Sequence, residues 1–97
     1  MHNAPLTATQ AAIVALIDGG ICRGIPPTRL EIGEHFGWAS PKAATTSHLK
    51  YIAKKGFIAI DSQEARGIRI LKRRDGNKVL IRGQWYEFVR FEEAPHA

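Results

Sequence analysis

The apolar positions of this chain follow two periods, with Gly56 as the border between them. Before it they recur every three or four residues, which marks amphipathic helices; after it they fall in short blocks, which marks strands. Ile13, Leu16, Ile17 and Ile21 form the first stripe. Just ahead of them, Thr7-Ala8-Thr9-Gln10 matches a capping box, in which Thr7 takes a free amide and Gln10 reaches back. A first helix is expected from about Ala8 to Ile17 or beyond, with Gly19 and Gly20 weakening its end. Pro26 and Pro27 forbid helix before Thr28. Thr28 and Glu31 form a second capping box, Leu30, Ile32 and Phe36 supply apolar contacts, and Gly37 stops this helix.

Ser40 to Ile60 is the stretch that organises the rest. Ser40 is expected to cap a third helix through its hydroxyl, with Pro41 at the first helical position. Lys54 and Lys55 suit the last turn and Gly56 the residue beyond it. Thr45, Leu49 and Ile52 make the inward stripe. The outer face carries Lys42, Ala43, Thr46, Ser47, Lys50 and Lys54, with no acidic residue. Such a face suits either phosphates or plain solvent. Only Trp38 and Ala39 separate Gly37 from Ser40, so the second and third helices read as a helix-turn-helix, whose second helix enters the major groove.

After Gly56, Phe57 to Ile60 and Gly67 to Leu71 read as strands around a polar loop from Asp61 to Arg66. Helix, helix-turn-helix and hairpin is the order of a winged helix. Lys78 to Ile81 and Trp85 to Phe91 read as a further hairpin, with Asp75-Gly76-Asn77 as a turn. The fold class is therefore α+β: a winged helix-turn-helix of three helices and a β-hairpin wing, with an extra C-terminal β-hairpin. Residues 1–74 are expected to form the DNA-binding domain. Residues 75–97 are the extension, packed on the same domain or used for dimerisation.

Charge sharpens the picture. Lys and Arg number 14 against 9 Asp and Glu, for a net +5 over 97 residues. A basic balance favours nucleic acid or an anionic surface. Between Arg66 and Arg82, Arg66, Arg69, Lys72, Arg73, Arg74, Lys78 and Arg82 face Asp75 alone. A lone Cys22 rules out an internal disulfide and a Cys-rich zinc site, and it is expected to be a small apolar filler. His2, His35, His48 and His96 have no metal-ligand spacing, and His48 either lines the groove face or is partly buried. Neither a phosphate-binding glycine loop nor a paired nucleophile and base is present. No enzyme, metal or cofactor is expected. The chain has no signal-peptide pattern and no membrane-length apolar run, so a cytoplasmic protein is expected.

From Leu6 to Leu71 the chain resembles the DNA-binding domain of the LexA repressors. Leu6-Thr7, Pro26-Pro27-Thr28-Arg29, Glu31-Ile32, Ser40-Pro41, His48-Leu49-Lys50, Lys55-Gly56 and Arg66-Gly67-Ile68-Arg69 carry the resemblance, in order. It implies sequence-specific binding of palindromic operators in double-stranded DNA and repression of promoters. LexA proteins also carry a Ser–Lys peptidase domain that cleaves the chain and dimerises it. Nothing here is long enough to be that domain, so self-cleavage is not expected.

Between Ser40 and His48 the chain is one residue longer than the family pattern, and one residue turns a helix by about 100°. Counting from His48, whose neighbours Leu49 and Ile52 fix the buried face, aims Ala43, Thr46 and Ser47 at the bases. Lys42, Lys50 and Lys54 then suit phosphates. Ser40 and Thr28, with Arg29 beside it, offer helix N-terminal amides to phosphate. Arg66 suits the DNA backbone or minor groove.

Trp85, Phe88, Val89 and Phe91 put apolar side chains on both faces of one strand. Either that strand packs back on the first helix, or it joins two copies in a homodimer or holds a protein partner. The alternative function is a protein-interaction module that reuses the winged-helix fold.

Overall fold

Thr7 and Thr28 start two helices as their sequences dictate. The computed structural model describes residues 4–88. Thr7 Oγ1 accepts the Gln10 amide at 3.1 Å, and Gln10 Oε1 accepts the Thr7 amide at 3.0 Å. This box opens α1, Ala8–Cys22. The helix does not weaken at Gly19 and Gly20, contrary to expectation, because other segments press close there. A Cβ on Gly20 would stand 2.7 Å from the Ile25 carbonyl and 2.8 Å from Pro27 Cδ. Gly20 is thus required by packing, whereas a Cβ on Gly19 would meet only ordinary contacts, 3.5 Å from Arg23 Nη1 and 3.6 Å from Gly83 Cα.

The second box opens α2, Arg29–Phe36. Thr28 Oγ1 accepts the Glu31 amide at 3.1 Å and Glu31 Oε1 accepts the Thr28 amide at 3.0 Å. Gly37, at φ 71°, closes α2 in the left-handed region that favours glycine. α3, Pro41–Lys54, follows with Pro41 in the first turn. Ser40 sits at the N-cap, but its hydroxyl makes no capping bond. Its ψ of 80° departs from the 168° and 166° of Thr7 and Thr28, and this turns the side chain away from the first-turn amides.

β1, Ile58–Ile60, and β2, Ile68–Ile70, pair antiparallel, with Ile58 opposite Ile70 and Ile60 opposite Ile68. Residues 61–67 form the wing loop between them. The C-terminal segment is a three-stranded sheet, where a two-stranded hairpin was expected. β3, Arg74–Asp75, pairs with β4, Lys78–Ile81, which pairs with β5, Gln84–Glu87. Asp75 lies in a strand because Gly76-Asn77 alone suffice for the turn, and its Oδ2 accepts the Leu6 amide at 3.0 Å. Arg82 and Gly83, at φ 48° and 82°, make the second turn left-handed at both central positions, as type I′ hairpins require.

One core joins all these elements. Ile13, Val14 and Ile17 of α1 meet Ile32, Leu49, Ile52, Phe57, Ile58, Ile68 and Leu80, each buried. Leu30, expected among the apolar contacts of α2, is exposed. Leu80 and Trp85 sit opposite each other in the C-terminal sheet and face inward. Trp85 Nε1 donates to the Ala11 carbonyl at 2.9 Å. The indole of Trp85, placed by expectation either on the first helix or in a dimer surface, thus has a hydrogen-bond partner on α1. Asp18, 1% exposed, completes the joint. Its Oδ1 accepts Arg73 Nε at 3.2 Å and Nη2 at 3.0 Å, and its Oδ2 accepts the Gly83 amide at 2.9 Å.

Val89 and Phe91, like His2 and His96, lie outside the described residues. Cys22 is exposed and thus no core filler. Among the described residues, no helix is long and apolar enough to cross a membrane, and no cluster of His, Cys, Asp and Glu is placed for a metal.

Candidate nucleic-acid interface

α3 owes its placement to α2. Gly33, buried in α2, lies against Pro41, and a Cβ on it would stand 2.5 Å from both Cα and Cβ of Pro41. In the turn, Trp38 donates its amide to the Gly33 carbonyl at 3.1 Å. The Trp38 ring lies between Phe36, at 5.0 Å, and His48 of α3, at 4.7 Å. This stack ties the turn to α3 and half-buries His48. On the inner side Thr45, Leu49 and Ile52 are buried. The Thr45 hydroxyl has no hydrogen-bond partner among the described residues, so Thr45 serves packing and is turned away from any ligand of the outer face.

The outer face is an open, cationic surface. Lys42, Ala43, Thr46, Ser47, Lys50 and Lys54 are all exposed along α3. Among the described residues, none of these three lysines is in an ion pair; the salt bridges are Arg66–Glu31 and Arg73–Asp18. Unpaired ammonium groups flanking small hydroxyl side chains can meet phosphates while the hydroxyls reach base edges. Ser40 belongs to the same end of α3. Its idle hydroxyl leaves the Lys42 and Ala43 amides without a side-chain acceptor, which suits a phosphate.

Three expected residues belong to other elements. Thr28 caps α2, and its amide and hydroxyl are both taken by Glu31. Arg29, exposed at the start of α2, lines a cleft with Leu49 and the wing residues Asp61 and Glu64. Arg66 is engaged internally: its Nη1 donates to Glu31 Oε1 at 2.8 Å and to the Pro26 carbonyl at 2.7 Å, and its Nη2 donates to Glu31 Oε2 at 3.1 Å. The Arg66 hydrogen bond, then the Thr28 amide, holds the Glu31 carboxyl below its ordinary range.

Other basic side chains of the Arg66–Arg82 run are also engaged. Lys72 lies over the Phe57 ring and Arg74 over the Phe88 ring, each at 4.6 Å. Arg73 holds Asp18. Tyr51 was missed by the sequence reading. It is exposed on α3 and lines a groove with Lys50 and Lys54. Its spacing of four from Ser47 was the available signal.

Residues 3–67 match the family described as LexA DNA binding domain. The LexA repressor of Shewanella frigidimarina (strain NCIMB 400) is 51% identical over 67 residues, which cover 68% of this chain and 32% of that protein. The LexA repressor of Polaromonas naphthalenivorans (strain CJ2) is 52% identical over 66 residues, 67% of this chain and 28% of that protein. The chain thus spans about a third of the length of these relatives.

Proposed function

The chain belongs to the LexA DNA-binding domain family, and on that premise we propose that it binds specific duplex DNA through the outer face of α3 and represses promoters by occupying them. The acid-free row of Lys42, Lys50 and Lys54 around Ala43, Thr46 and Ser47 carries this reading. Ala43, Thr46 and Ser47 meet bases; Lys42, Lys50, Lys54 and the open end of α3 at Ser40 meet phosphates. Repression without cleavage of the chain is the finer part of this proposal. Beyond the wing, β3, β4 and β5 form a small sheet docked on α1. We place residues 1–74 as the DNA-binding unit and 75–97 as an extension of the same domain, on the strength of the Asp18 and Trp85 contacts.

Duplexes selected from random DNA and titrated over a salt series test this. Thr46→Ala and Ser47→Ala should relax base preference at one position and cost roughly 1–3 kcal/mol there. Lys50→Ala should weaken all sequences alike and flatten the salt dependence by about one unit. If neither kind of variant changes affinity, α3 is not the reader.

Self-association is a second, separable reading. Trp85 faces inward, but Val79 and Tyr86 are paired on the opposite, outward face, with Ile81 and Phe88 two residues along each strand. Ile81, Tyr86 and Phe88 are exposed. Two copies meeting through this face would hold two half-sites of a palindrome together. The full chain should then sediment as a concentration-dependent dimer, and Ile81→Ser with Tyr86→Ser should make it monomeric. A wild-type monomer both free and on DNA would leave the face to a protein partner.

A further inference from the structure

Among the described residues, the side-chain hydrogen bonds that tie the wing loop to another segment all run through Arg66. Within the loop, Asp61 donates its amide to the Gly67 carbonyl at 2.7 Å, and Glu64 and Gly67 close two tight turns at 3.2 Å each. The loop is therefore a small folded unit, and its attachment runs through Arg66. The forked guanidinium takes both oxygens of Glu31 and the Pro26 carbonyl. Glu31 Oε1 also accepts the Thr28 amide that starts α2. α2 in turn lies against α3 with no space between Gly33 and Pro41.

We propose that Arg66 and Glu31 are positioning residues, which fix the wing to the start of α2 and thereby set where the wing meets DNA relative to α3. The inference rests on the DNA-binding reading above and assigns Arg66 a role different from a phosphate contact. Two physical points carry it. An exposed ion pair adds little to folding, so its consequence is geometry. A bidentate arginine fixes direction as well as distance, which a lysine cannot do. Moving Arg66 to a phosphate would also strip the Glu31 carboxylate of its cation.

The test uses the full chain, a duplex selected with the wild type, and a non-specific duplex. Glu31→Gln keeps a side chain able to close the capping box but loses the charge. Glu31→Gln, Arg66→Ala and Arg66→Lys should each weaken specific binding by about tenfold, equivalent to about 1.4 kcal/mol. Glu31→Gln combined with Arg66→Ala should be no worse than either alone, because the pair acts as one unit. The salt dependence and non-specific affinity should stay as in the wild type, with circular dichroism and melting nearly unchanged. The proposal is overturned if Arg66→Lys binds like the wild type while Arg66→Ala loses about one unit of salt dependence, since Arg66 is then a phosphate ligand. Additive losses, or no loss, overturn it as well. Lys50→Ala in the same series keeps the readings apart: its weakened binding upholds the DNA reading even where the wing proposal fails.

Discussion

Asp18→Ala is expected to lower the unfolding free energy by about 3 kcal/mol. The carboxylate is 1% exposed and accepts three hydrogen bonds, two from Arg73 and one from the Gly83 amide. Hydrogen bonds to charged groups contribute about 1.5–3 kcal/mol each, and breaking a buried ion pair costs about 3–5 kcal/mol. The low end applies because the Arg73 side chain is 49% exposed and can turn to water, while the half-buried Gly83 amide cannot follow it. At roughly 4–8 °C per kcal/mol for a domain of this size, the melting temperature should fall by roughly 12–24 °C. Thermal denaturation followed by circular dichroism measures it. A shift of only a degree or two would mean that the C-terminal sheet is not anchored through this carboxylate.

Gly33→Ala should act on α3 and on DNA binding together. The added Cβ would stand 2.5 Å from Pro41 Cα and Cβ and also strike the Pro41 carbonyl oxygen. These are backbone and ring atoms, so no flexible side-chain end can yield. Overpacking of this kind costs about 1–3 kcal/mol, set against about 1 kcal/mol gained from alanine's better helix propensity. Net stability therefore changes modestly. The displacement is the larger effect: the start of α3 must shift, and Ala43, Thr46 and Ser47 shift with it. Specific affinity should fall at least about tenfold, or 1.4 kcal/mol, with melting lowered by only a few degrees. Titration of the variant against the selected duplex decides it, and wild-type affinity would show that the crossing of α2 and α3 has slack.

The features legible in the sequence are those written within a few neighbouring residues. Both capping boxes span four residues, and both formed. The stripe of Thr45, Leu49 and Ile52 is a local period, and it is buried. Gly37 closes its helix in the left-handed conformation. Where the outcome depended on a distant partner, the sequence was silent. Trp85 could face a second copy or α1, and its acceptor, the Ala11 carbonyl, lies 74 residues away. Arg66 is exposed in either role, and Glu31, 35 residues earlier, took its guanidinium. Gly20 was read as a helix weakener because its intimate neighbours, Ile25 and Pro27, are met only in three dimensions. Ser40 failed as a hydroxyl cap because the short turn after Gly37 sets its ψ, which composition does not encode.

The Asp18 joint also sets a folding order. Asp18 leaves the ribosome 55 residues ahead of Arg73 and 65 ahead of Gly83. Throughout that interval the partners that Asp18 has in the folded chain are still to come. Long-range closures of this kind carry loop entropy and form slowly compared with neighbouring helices. The nascent chain thus has an early half, built from the short-range pairing of α2 with α3, and a late seal, in which β3, β4 and β5 arrive and close over α1.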